Sequence, residues 1–158
     1  MHNTSPVPAP LKPPETGLAD AVPSTGAAPS TDAVSASAAV LPAGLPLHPD
    51  SFGLVHEPVA ASATASGTPT TGLQELGLFG GVELGVWEMS EGGMYDTEAE
   101  EVFVVLSGTA TVEFLDADGS VASTHNLAPH TLMRFAAGTR TRWTVTSTLR
   151  KIYLTLPS

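Results

Sequence analysis

The chain has 158 residues and a net charge of −10, with 16 Asp and Glu against six Lys and Arg. That length holds one domain, or one domain and a tail, and the sign of the charge argues against nucleic acid as a partner. No cysteine is present, which excludes disulfides, thiolate metal sites and cysteine nucleophiles and leaves the redox compartment open.

Ten of the first 50 residues are proline, ten are alanine and nine are serine or threonine. Such a mixture offers few large side chains to offset the entropy of ordering. Residues 1–68 are therefore expected to be a mostly disordered Ala/Pro/Ser/Thr-rich tail, a spacer in function, with Leu41–Leu47 and Phe52–Val55 as short docking contacts. The folded domain is expected over 69–158. Met1 is followed by neither a basic cluster nor an apolar run, and nothing reaches transmembrane length, so no membrane partner is expected and a cytoplasmic location is the default.

From Gly72 onward, short apolar runs are broken by turn residues about every ten positions, at Gly92-Gly93, Ser107-Gly108, Asp118-Gly119, Pro129-His130, Gly138 and Ser147-Thr148. Ala110, Val112 and Phe114 alternate with Thr109, Thr111 and Glu113, and Ile152, Leu154 and Leu156 alternate with Lys151, Tyr153 and Thr155. Period two means half-buried strands. Val102 to Leu106 is apolar on both faces, as for a strand covered by a second sheet or subunit. Seven strands are expected, near 82–89, 101–106, 109–115, 120–126, 131–136, 141–147 and 150–156, with an eighth near 73–79. Evenly spaced strands in so short a stretch make a sandwich or small barrel. Asp116-Ala-Asp-Gly119 reads as a hairpin connection, with Gly119 supplying the positive φ. A core this small is marginal alone, which favours a homodimer. Ten carboxylates lie between Glu83 and Asp118, while five cations follow between Arg134 and Lys151. The two halves either complement each other across a subunit interface or form two solvated faces.

Gly85-Val-Trp-Glu-Met-Ser-Glu-Gly92, Glu101 to Gly108, Ala137-Gly138 and Trp143-Thr-Val145 together resemble a cupin. More narrowly, they resemble the cupin domain of (S)-ureidoglycine aminohydrolases and ethanolamine-utilisation Q proteins. Trp87-Glu88, Gly92, Glu100-Glu101, Gly108, Ala137-Gly138 and Trp143 keep that pattern, and Glu91, Ser107 and Ala136 depart from it. The resemblance implies an all-β fold: a small jelly-roll (double-stranded β-helix) barrel around a pocket, here behind the disordered tail. Metal-binding cupins place a His-x-His shortly before the motif glutamate and a further His after the second motif's glycine. Those positions hold Tyr95 and Thr97 (or Met94 and Asp96), Glu101 and Thr141, and none of His2, His48, His56, His125 or His130 falls on them. No metal or other cofactor is expected on such residues, because transition metals favour imidazole and thiolate; oxygen ligation of a divalent ion by Glu101 and Asp96 is the version left open.

The resemblance puts Glu101 on the inward face of the barrel, where a carboxylate needs a partner or a raised pKa. Glu101 is thus the candidate catalytic base or ligand anchor, or else a carboxylate satisfied by backbone, Arg134 or Arg140. Tyr95 and Thr97 share its expected neighbourhood. Trp87 and Trp143 are the two tryptophans, and strand parity places Thr141, Trp143 and Val145 on one face, as aromatic walls of a small-molecule pocket or as core. The candidate ligand-binding set is Trp87, Tyr95, Thr97, Glu101, Thr141 and Trp143. Arg140, Arg142, Arg150 and Lys151 read as surface charge. Gly80-Gly81 and Gly92-Gly93 lack the helix and lysine of a phosphate loop, and His125 and His130 have no nucleophile signature beside them. Three functions follow: a metal-free binder of a small polar metabolite, a metal-assisted ureide aminohydrolase, or a non-catalytic dimeric interaction module.

Overall fold

The computed structural model describes residues 41–156, so the expected tail lies outside the described residues as far as position 40. Nine strands follow in chain order: β1 His56–Pro58, β2 Thr64–Ser66, β3 Thr70–Phe79, β4 Val82–Met89, β5 Gly92–Thr97, β6 Glu101–Leu115, β7 Val121–Leu127, β8 Leu132–Phe135 and β9 Arg140–Thr155. Among the described residues there is no helix, and none long and apolar enough to cross a membrane.

All pairings are antiparallel and join one continuous sheet. The two long strands β6 and β9 lie side by side and serve both leaves of a jelly roll. The C-terminal half of β9 pairs with β4 and the first half of β6, and β3, β1 and β8 extend that leaf. The N-terminal half of β9 pairs with β5 and the second half of β6, flanked by β2 and β7. Trp143, Phe103, Phe135, Met89, Leu149, Val105 and Val112 fill the space between the leaves.

Two expected breaks are absent. Ser107-Gly108 and Ser147-Thr148 lie inside β6 and β9, where the register shifts instead of the chain turning. A β-bulge bends a strand without ending it, and here it changes which residues point inward: Glu101, Phe103 and Val105 before it, Ala110 and Val112 after it. Gly108 adopts φ 80°, and a Cβ there would lie 2.0 Å from the Thr148 carbonyl oxygen. The 116–119 hairpin forms as expected, with Gly119 at φ 86°.

Residues 41–68 differ from the expected tail. β1 pairs with β3, β2 pairs with β5, and the Leu41 amide donates to the Leu76 carbonyl. Three-residue strands carry little signal of their own in a Pro/Thr/Ser-rich stretch; edge pairing and side-chain pins hold them. Arg150, 7% exposed, donates from its guanidinium to the Pro49 and Phe52 carbonyls and to Glu88 Oε2, and the guanidinium lies over the Phe52 ring. Glu88 Oε1 meets His56 Nε2 at 2.9 Å.

Candidate functional site

Inward parity on β9 puts Thr141, Trp143, Val145, Leu149, Lys151 and Tyr153 in the barrel, each buried. Lys151 and Arg150 are therefore not surface charge. The apolar alternation of Ile152 and Leu154 faces the outside of the leaf, while the inward row carries an ammonium and a phenol.

Lys151 Nζ ion-pairs with Glu101 Oε1, the lysine side chain being 5% exposed and the glutamate 14%. The partner of Glu101 is thus neither Arg134, which pairs with Glu100, nor Arg140, which binds the Asp116 and Ala117 carbonyls. Four rings surround the same ammonium, their centroids 4.4 Å (Phe103), 5.0 Å (Trp87), 5.4 Å (Trp143) and 5.9 Å (Phe135) from Nζ. Ring faces attract a cation most strongly where water is excluded, so a carboxylate and an aromatic box together hold a charge that an apolar interior would reject.

A cavity of about 270 Å³ opens beside this group, walled by Trp87, Trp143, Thr97, Glu98, Glu101 and Lys151, with Asp96, Met94, Leu73 and Tyr153 completing it. Glu98 was not legible in the sequence as a site residue. It sits in the link between β5 and β6, fixed by backbone hydrogen bonds from its amide to the Thr139 carbonyl and from the Gly138 amide to its carbonyl. Its Oε1 accepts from Thr141 Oγ1 at 2.5 Å and from Trp143 Nε1 at 2.9 Å. Burial pushes the Glu98 carboxyl above its ordinary value, with Asp96 adding to the rise, against the opposing hydrogen bonds of Thr141 and Trp143 and the charge of Lys151. Burial, with its hydrogen bond to Glu83 adding, likewise raises Tyr153, whose ring lies across Gly85; a Cβ on Gly85 would fall 2.3 Å from the phenol oxygen.

Of the residues read from sequence, Trp87, Thr97, Glu101 and Trp143 come together around the cavity. Thr141 supports it from behind through Glu98. Tyr95 does not line it: on β5 it is the register partner of Arg142, 44% exposed, and it borders a separate cleft with Asp96, Thr97, Arg140 and Thr141.

Residues 76–153 match the profile of the EutQ-like cupin domain. This stretch is an EutQ-like cupin domain. Solved structures similar to the chain include the putative ethanolamine utilization protein EutQ of Salmonella typhimurium, 19% identical, covering 55% of this chain and 69% of its own with a TM-score of 0.46. EutQ of Clostridium difficile is also 19% identical, covering 63% and 79% with a TM-score of 0.48. A protein of unknown function from Pseudomonas syringae pv. tomato, 19% identical, covers 65% of this chain and 44% of its own at a TM-score of 0.53. Likeness at this identity extends to the fold. No curated protein matches the chain.

The metal that many cupins hold does not suit the residues of this cupin domain. Glu101, the carboxylate at the motif position, is already neutralised by Lys151, and the Thr141 hydroxyl is spent on Glu98. Among the described residues no three His, Asp or Glu side chains converge as a metal site. The Lys151 ammonium is paired with Glu101 Oε1, and its positive charge would repel a metal ion at the same oxygen.

Proposed function

We propose that this cupin domain binds a small polar metabolite in the cavity beside Lys151, without a His-ligated metal. The observation that carries the reading is the buried Glu101–Lys151 pair set in the wall of an open, tryptophan-lined cavity: small-molecule sites are largely apolar clefts with a few fixed polar groups, and an interior packed only for stability has no use for a charged pair facing empty space. A metal-assisted ureide aminohydrolase is the less supported alternative, since its Lewis acid finds no fitting donor set. A thermal-shift screen with ureides, hydroxy acids and sugars tests the proposal. A ligand at 100 times its dissociation constant adds about 2.7 kcal/mol to stability, and the shift should vanish in a Lys151→Met/Glu101→Gln variant. A panel that moves nothing sinks the binding reading. Elemental analysis of protein purified without affinity metal should find substoichiometric metal; one ion per chain would restore the aminohydrolase alternative.

A second reading, self-association, is favoured by one feature. The outer surface of the β4–β9–β6–β8 leaf leaves Val102, Leu132 and Leu154 exposed, and Val82, Val102, Leu154 and Leu156 line an apolar groove along it. A second copy of the chain, packed about a twofold axis, is the partner this face suits.

A further inference from the structure

We infer that the cavity's ligand is a small organic cation, an alkylammonium or amidinium, which docks its charge against Asp96 and Glu98 and its carbon against Trp87. The inference rests on the reading of the cavity as a ligand site and names the class of molecule it takes.

The first observation is the account of donors and acceptors on the cavity wall. The Trp143 indole N–H is spent on Glu98 and the Tyr153 hydroxyl on Glu83 Oε1 at 3.1 Å, while the Lys151 ammonium gives one of its three N–H groups to Glu101. Among the described residues, two Lys151 N–H groups, the Trp87 indole N–H and the Thr97 hydroxyl are left as donors, against about two lone pairs on each free carboxylate oxygen. Acceptors predominate. Glu98 Oε1 takes both of that residue's hydrogen bonds, so Oε2 has no partner among the described residues, and it is not sealed away. Glu101 Oε2 and Asp96 Oδ2 are equally unspent, Asp96 Oδ1 accepting from the Thr97 amide. A ligand meeting this wall must bring N–H donors.

The second observation is charge. Three carboxylates, Asp96, Glu98 and Glu101, border the cavity with one cation, Lys151. The Glu101–Lys151 pair is neutral as a unit, which leaves Asp96 and Glu98 without an ion-pair partner of their own among the described residues; a carboxylate or phosphate ligand would be repelled by them, and a cation would supply the missing charge. The third is Glu98 itself. This side chain, 9% exposed, presents an unpartnered oxygen in a low-dielectric pocket, where a charge-assisted hydrogen bond is strong. The tryptophan faces that already hold one ammonium show that the walls accept cationic nitrogen.

Both tryptophans of the chain stand on this cavity, so intrinsic fluorescence reads it directly. The full chain would be titrated with n-propylammonium chloride, sodium propionate and 1-propanol, with ionic strength held by potassium chloride. The expected result is a saturable response to propylammonium alone, weakened about tenfold by Asp96→Asn, the loss of one charge-assisted contact. Asp96 is exposed, so the variant keeps the fold; Glu98→Gln provides a second, buried test of the same wall. Saturation by propionate or propanol in preference to propylammonium would overturn the cation assignment and leave the ligand cavity standing. A propylammonium response unchanged in Asp96→Asn would overturn it too, placing the ion elsewhere. Silence from all three probes, together with no response to the ureide, hydroxy-acid and sugar panel, would remove the cavity as a binding site altogether.

Discussion

A lysine and a glutamate withdrawn from water are stable together and costly apart. Lys151→Met leaves Glu101 charged and unpaired inside the barrel, and a loss of about 3–5 kcal/mol is expected in urea unfolding. Lys151→Met combined with Glu101→Gln should recover most of that loss, because neither residue is then an orphan charge. Strictly additive losses in the double-mutant cycle would show that the two are not coupled. Glu98 yields a prediction of a different kind. Its proton is held more tightly in the fold than in the unfolded chain, where it leaves near 4.5. As pH rises past that value the unfolded chain ionises first, the folded state holds the extra proton, and stability falls until Glu98 ionises in the fold as well. Glu98→Gln has no proton to lose, so its stability should decline less over that window; parallel curves would contradict the raised carboxyl. Glu100 and Glu113, held below their ordinary value by hydrogen bonds from Arg134 and Arg142, act with the opposite sign, and their contribution is lost only as pH falls through the acid range.

At the scale of the element, β6 and β9 carry the fold because each serves both leaves, and each needs a place to bend. Gly108 is that place on β6. Any side chain there meets a positive φ that costs an L-residue about 1–2 kcal/mol and a Cβ overlapping the Ser147 and Thr148 carbonyls. Gly108→Ala is expected to lower stability by at least about 2 kcal/mol, read as a shift in the urea midpoint, whereas Gly119→Ala, at a hairpin where a Cβ meets nothing within 4 Å, should cost only the backbone strain. Equal losses would mean that the bulge tolerates a side chain. The same glycine explains why the sequence misled about strand number. A positive-φ glycine serves a turn and a bulge alike, and Ser107-Gly108 carries no mark that separates them. The parity of Thr141, Trp143 and Val145 was legible because three consecutive inward residues agree. Lys151 was not, since period two assigns the apolar row of Ile152 and Leu154 to the core, and the aromatic box that makes the ammonium tolerable draws three of its four rings from other strands: Trp87 of β4, Phe103 of β6 and Phe135 of β8, with Trp143 from β9 itself. Glu98 lies on a link, where periodicity says nothing of direction, and its buried state follows from the 138–139 turn closing over it.

Over the whole molecule, the separation of ten carboxylates from five cations along the chain resolves inside one subunit. Because β9 runs antiparallel beside β4, β5 and β6, its cations come to lie against their carboxylates: Arg142 on Glu113, Arg150 on Glu88 and Lys151 on Glu101. Arg134 of β8 pairs with Glu100 in the same way. The charge pattern is a record of strand pairing and gives no support to a subunit interface, which shifts the weight of the self-association reading onto apolar surface. Register rows on the outer leaf supply it: Leu132, Val104 and Ile152 form one row across β8, β6 and β9, ending at β4 on the fully buried Val86, and Val102, Leu154 and Leu84 continue the next. An isologous interface places the same residue on both sides of the axis, so one added charge is introduced twice. Leu132 is 68% exposed, and Leu132→Lys therefore leaves the subunit's own packing intact. Sedimentation velocity should find the native chain as a dimer and Leu132→Lys as a monomer of unchanged thermal stability in its barrel. A native chain that sediments as a monomer at tens of micromolar would end this reading and leave the outer leaf as ordinary exposed surface, while a dimer indifferent to Leu132→Lys would move the interface to another face.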